Sequence, residues 1–360
     1  MKRHFAIATV LLTVILASPQ AGGAPSAIGA SPVVTGLDYP AAFTFAPDGR
    51  IFYGERYTGE IRIYDPSNGS DTLFFTINQL DTLGEQGLLG LALHPLYPTK
   101  PGVYAYATRE VNGSPHNQII RITDSGGVGR SPRVIWTENV VANTFHNGGH
   151  IQFGPDGRLY AAVGDATNNA NAQNLSLTAG KVLRMTDRGR VPPDNPFPGS
   201  VVWAYGLRNS FGFTFDPLTG LLWETENGPD CNDEINIERS GENHGWGNNQ
   251  TCSTPPPPPQ NTNQDGPNPV MPLAFFTPTI APVGTAFCVG CGIGSAEGAL
   301  FFGAYNDSQI RQVTLTSDRM GIQTVANAYT HSTFPLSLER GPDQAVYFSD
   351  PSGIWKLVQA

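Results

Sequence analysis

The stretch Asn143–Asp165, NTFHNGGHIQFGPDGRLYAAVGD, decides the fold. A strand-like alternating run follows His146 and its two glycines, turns at Pro155-Asp156-Gly157, and alternates again up to Asp165. Alternation at period two puts successive side chains on opposite faces, as in a half-buried strand. At the turn, proline presets φ, aspartate bonds back to the backbone and glycine tolerates positive φ. The unit is strand, tight turn, strand.

That unit recurs. It appears as AAFTFAPDGRIFYGERYTGEIRIYD from Ala41, GLLGLALHPLYPTKPGVYAYATRE from Gly87, FGFTFDPLTGLLWETENG from Phe211 and LSLERGPDQAVYFSDPSGIWKLV from Leu336. A degraded copy, GIGSAEGALFFGAYNDSQIRQVTL, starts at Gly292. With the copy at Gly148 there are six, starting roughly 45 to 80 residues apart, room for four strands each. The repeat predicts an all-β chain: a six-bladed β-propeller of four-stranded antiparallel blades. A β-sandwich would not demand the sixfold repeat. The strands before Gly36 and after Gly353 are expected to pair and close the ring. Residues 28–360 read as one propeller, with the proline-rich run from Pro255 an exposed loop between blades.

Composition narrows the function classes. Charged residues make up 14% and the formal net charge is −9, which argues against a nucleic-acid partner. Lys2 and Arg3 precede an apolar run from Phe5 to Ala17 and then small residues, the order of a secretory signal peptide over residues 1–27. The run is shorter than the roughly 20 residues of a membrane span. A secreted or periplasmic chain without stable membrane insertion after signal cleavage is expected; an uncleaved anchor is the other reading. The four cysteines suit an oxidising compartment. Two loop disulfides are expected, with Cys231–Cys252 and Cys288–Cys291 the local pairing among three connectivities.

Propellers bind ligands at the axis, where loops converge, so residues that depart from the repeat carry the information. His146 is suited to general base work, since an ordinary imidazole titrates near neutrality. Arg208 is a permanent forked cation, suited to a carboxylate or a developing oxyanion. The turn Asn227-Gly228-Pro229-Asp230 exposes carbonyls, and Asp230, Asp233 and Glu234 lie nearby, an oxygen-rich set of the kind calcium takes. Each has a plainer reading: a polar loop residue, a loop-pinning salt bridge, an acidic turn. Asp165 reads equally as a helper in the site or a turn cap.

Taken in order, GEQGLLGLALHP, HNGG…FGPDGRLYAAVGD, GKVLRMTDRGRVPPDNPF, WAYGLRNSFGFTFDP and NGPDCNDEINIERSGENHGWG are together similar to the soluble quinoprotein glucose/sorbosone dehydrogenase family. The resemblance spans about Val33 to Val358. It implies a six-bladed propeller that uses pyrroloquinoline quinone (PQQ) and Ca2+ to oxidise an aldose to its lactone, then passes electrons to an external acceptor. It assigns the catalytic base to His146 and charge stabilisation to Arg208. Cofactor contacts fall on Gln86, Asp165, Arg208, Asn209, Thr279 and Ala281, and the calcium carbonyls on Gly228 and Pro229.

Departures from the family pattern set limits on this reading. His150 stands where an arginine usually follows HNGG, Phe211 stands where some members have glutamine, and Arg340 is the only arginine in FPLSLERGPD, out of register with the family's pair. Each missing charge-assisted contact to a triply acidic cofactor costs about 1.5–3 kcal/mol. A cofactor-free propeller that binds a protein or glycan is therefore the first alternative. A calcium-dependent lactonase is the second; it would want side-chain carboxylates around the ion.

Overall fold

The computed structural model describes residues 27–253 and 255–360. The expected leader lies outside the described residues except for Ala27. The chain forms six four-stranded antiparallel sheets arranged as a six-bladed β-propeller. The inner strands of blades 1 to 6 are Pro40–Phe45, Leu88–Leu93, Ile151–Phe153, Ser210–Phe215, Pro282–Phe287 and Ser337–Arg340. Blade 6 is completed by the first strand, Ile28–Thr35, which pairs antiparallel with the last, Gly353–Gln359. The ring closes as expected.

The PDG turns behave as their chemistry requires. In blade 3, Gly157 N donates to Gly154 O at 2.9 Å and Arg158 N to Asp156 Oδ1 at 3.0 Å, with Gly157 at φ 71°. Blade 6 has Gln344 in the glycine place, held at φ 72°, and Ala345 N donates to Asp343 Oδ1 at 3.2 Å. The degraded copy is shifted. The inner strand of blade 5 precedes Gly292, and its turn is replaced by a segment carrying the Cys288–Cys291 disulfide and a short 3-10 helix, Gly294–Ala296. Cys231–Cys252 forms the second disulfide. The proline-rich run lies within blade 4, between its third strand, Asp233–Glu238, and its fourth, Ala274–Phe276, rather than between blades. It is not wholly exposed either: Asn261, Thr262 and Asn263 are buried, because Asn261 and Thr262 accept from Asn232 Nδ2 at 3.1 and 2.7 Å.

The core sits between blades. Six apolar clusters among the described residues each join one neighbouring pair, for example Phe52 and Phe74 of blade 1 with Leu91 and Val103 of blade 2. Close approach at the axis needs glycine: a Cβ on Gly90 would stand 2.1 Å from Gly149 O of the next blade. No helix among the described residues is long and apolar enough to cross a membrane.

Candidate active site

In an antiparallel blade, the start of the inner strand and the end of the second strand lie at the same end. His146, Arg208, Asn209, Thr279 and Ala281 precede inner strands, and Gly228 and Pro229 follow the second strand of blade 4. Topology alone therefore gathers them at one mouth of the ring. All seven line one axial cavity of about 340 Å3. It adjoins a second lobe of about 490 Å3, with Glu85, Phe145, Asn227, Ala281 and Asn306 lining both.

His146 sits in a strained loop, at φ 62°. Its N donates to Glu85 Oε2 at 2.7 Å, and its carbonyl packs against Gly164, where a Cβ would meet it at 2.2 Å. Its Nδ1 lies 2.7 Å from Asp165 Oδ1. An ionised carboxylate only accepts, so Nδ1–H donates and the lone pair falls on Nε2. Among the described residues nothing hydrogen-bonds to Nε2. The Asp165 side chain is 0% exposed. It also accepts from Trp246 Nε1 at 2.8 Å and Thr167 N at 2.7 Å. Asp165 stands behind the histidine rather than in the cavity.

Arg208 is held by Asn227 O, which accepts from Nη1 at 2.8 Å, and lies over the Trp246 ring at 5.6 Å. Burial lowers its pKa, opposed by the carboxylates of Asp165, Glu226, Glu85 and Asp233. Asn209 accepts from Gly148 N at 3.1 Å and donates to Glu85 Oε2 at 3.2 Å, so it ties the histidine loop to blade 4.

Gln86 is turned into the wall: it is buried, its Nε2 donates to Asn143 O at 3.0 Å, and its Oε1 has no partner among the described residues. The neighbouring Glu85 is the residue that borders the cavity. The acidic run also separates. Asp233 accepts from Gly228 N at 2.8 Å, Ile280 N at 2.5 Å and Ala281 N at 2.7 Å, while Glu234 faces Asn236 and Asn263 in the blade interior. No group of three histidine, cysteine, aspartate or glutamate side chains able to hold a metal occurs among the described residues. Asp233 instead fixes the Gly228–Pro229 turn and the 279–281 loop against each other. Burial raises its pKa, opposed by the backbone donors.

His150 is buried, packs edge-on to Phe213 at 4.6 Å and is pulled to a pKa of about 4 by burial, so the place of the missing arginine is neutral. Arg340 donates to Val289 O at 2.6 Å, beyond the far end of the blade 5 inner strand, and does not reach the cavity. Sequence reasoning missed Glu85, Trp246 and Arg56; only GENHGWG and GEQ carried a signal for the first two.

The fold and the axial site define a propeller with a histidine–aspartate pair and a half-buried arginine at its mouth. Residues 37–353 match the family model for glucose/sorbosone dehydrogenase, and the chain belongs to that family. The aldose sugar dehydrogenase YliI of Escherichia coli K12 is 30% identical over 251 residues, 66% of this chain and 66% of YliI. A structure titled putative oxidoreductase (glucose dehydrogenase) from Thermus thermophilus matches at 31% identity and TM-score 0.80, covering 92% of this chain and 100% of that one. The PQQ-bound aldose sugar dehydrogenase of Streptomyces coelicolor matches at 25% identity and TM-score 0.77, covering 92% and 98%.

Proposed function

We propose that the protein is a secreted or periplasmic quinone-dependent oxidoreductase that converts aldoses to lactones. The observation that carries this reading is the pairing of His146, backed by Asp165, with Arg208 on one cavity. The two lobes adjoin and carry aromatic residues on their walls, with Arg56 bordering the larger and Arg208 the smaller. Flat walls fit a planar quinone such as PQQ. Arg208, Asn209, Thr279 and Ala281 would hold it, and Ca2+ would sit at the Gly228–Pro229 turn. Bound there, the quinone supplies a hydride acceptor and calcium adds positive charge.

The remaining steps belong to the chain. His146 Nε2 takes the proton of the anomeric hydroxyl as the C–H hydride departs and the C=O of the lactone forms. Asp165 steadies the imidazolium through Nδ1. Arg208 faces the negative charge that develops in the site, where low dielectric strengthens its effect. Two disulfides and the leader-like first residues support an exported location. An external acceptor would reoxidise the ligand.

The test is reconstitution of the mature chain with PQQ and Ca2+, following dye reduction with a panel of aldoses. Sugar-dependent turnover that His146→Gln removes is expected. Quinone binding with no turnover on any aldose would refute the proposed substrate class.

A further inference from the structure

Blades 1 and 5 line the larger lobe with rings rather than charges. Tyr39 and Tyr57 lie 5.0 Å apart between ring centres, Tyr305 stacks at 4.1 Å on Phe334, and Phe334 is 6.5 Å from Tyr39. Tyr39, Tyr57, Tyr305 and Leu336 line the cavity. Arg56 is the single permanent cation of this lobe, and its charge is engaged. Nε donates to Gln86 O at 3.0 Å, Nη2 donates to Gly84 O, and the guanidinium lies 5.4 and 4.9 Å from the centres of Tyr39 and Tyr57. Over both lobes the charged lining residues are Arg56 and Arg208 against Glu85 and Asp233, two positive and two negative. Before any calcium is bound, the lining has no net charge to offer a tricarboxylate, but it offers flat faces: Tyr39 and Tyr57 of blade 1 and Tyr305 of blade 5.

We propose that this chain grips its quinone chiefly by aromatic contact, and so accepts flat ortho-quinones without carboxylates about as well as the tricarboxylate PQQ. The inference rests on the quinone-dependent reading above. Rings favour offset or tilted contacts with another π system, and those contacts are insensitive to salt, unlike ion pairs. Leu336 is half-buried on the lining, a position from which an introduced arginine could reach a carboxylate.

The experiment is a titration of the mature chain with PQQ and with 9,10-phenanthrenequinone, read by quenching of intrinsic fluorescence and by calorimetry, in calcium. The two dissociation constants are expected within about threefold of each other, and that for PQQ should change less than about threefold between low salt and roughly 0.5 M salt. Tyr305→Ala should weaken both ligands about tenfold. Leu336→Arg should tighten PQQ about tenfold and leave phenanthrenequinone unchanged. PQQ binding tenfold or more tighter than phenanthrenequinone, and weakening steeply with salt, would overturn the proposal and leave the quinone-dependent reading standing (about a tenfold gap is 1.4 kcal/mol). Failure of both quinones to bind wild type and Leu336→Arg would overturn the reading itself.

Discussion

Two histidine–aspartate pairs stand at matching places in blades 3 and 6. Each aspartate accepts from a ring nitrogen: Asp165 from His146 at 2.7 Å and Asp350 from His331 at 2.8 Å. Each accepts from an indole, Trp246 at 2.8 Å and Trp355 at 3.0 Å. Each also accepts from the backbone N two residues on, Thr167 and Ser352, at 2.7 Å. The difference lies on the other side of the imidazole. His331 has Tyr329 Oη 3.3 Å from Nδ1 and Phe348 edge-on at 4.9 Å, and its side chain is 3% exposed against 14% for His146. The same device braces the fold where both nitrogens are engaged. It can move a proton only where one nitrogen faces a cavity.

Substitution of the two histidines tests that contrast most severely. His146→Gln is expected to cut sugar-dependent turnover about 10²–10⁴-fold, with little change in melting temperature because the glutamine amide can still donate to Asp165. His331→Leu should leave turnover nearly intact and destabilise the fold by about 3–5 kcal/mol, because Asp350 stays buried without its partner. Turnover assays beside denaturant unfolding would read both; equal effects on turnover would break the comparison. Asp165→Asn should come next, with kcat falling about 10²-fold or more at nearly constant KM, since an amide no longer fixes the Nδ1–H tautomer. Trp246→Phe removes one donor from the same carboxylate and should cost roughly tenfold in kcat. A large rise in KM for Asp165→Asn would mean the carboxylate contacts the substrate, contrary to its burial.

The fold was legible because its turns and strands obey local rules. The PDG units announced blades 1, 3 and 6, and the alternation between them survives even where Gln344 must adopt the glycine conformation. Blade 5 reads out of step because a disulfide loop and a 3-10 turn stand in place of the tight turn of its first hairpin. The site was legible in position but not in facing. Gln86 and Glu85 lie between Gly84 and Gly87, at φ 61° and 139°, where the alternation that assigns faces in a strand does not operate. Trp246 reaches Asp165 across 81 residues, and Asp233 ties the nearby Gly228–Pro229 turn to a loop 47 and 48 residues away. No local pattern encodes such contacts. The ring wall of blades 1 and 5 is hidden for another reason: aromatic residues in strands and turns look the same whether they fill a core or line a cavity.

A third histidine–carboxylate pair sharpens the comparison from inside blade 4, where the effect is smallest. His244 Nε2 lies 3.0 Å from Glu238, but here the carboxylate has company. Glu224, Glu226, Glu234 and Glu238 are all buried on two paired strands, with Glu226 opposite Glu234. Burial pushes Glu224 up to about 8 and Glu234 up to about 7. Burial pulls His244 down, but the surrounding carboxylates outweigh it and raise it to about 9. Between the ordinary carboxylate value and pH 8, the folded chain therefore holds a proton on Glu224 that the unfolded chain has released. Stability must fall as pH rises through that window. The raised His244 acts with the same sign: its contribution is complete below its unfolded value near 6.5 and is lost as pH rises through about 9. Glutamine mimics the protonated carboxyl, so Glu224→Gln should leave the melting temperature almost unchanged near pH 5 and raise it by a few degrees near pH 8. An equal shift at both pH values would show that Glu224 is already ionised when folded. Blade 4 would then hold its charge by pairing with His244, as Asp350 does with His331, and not by keeping its proton.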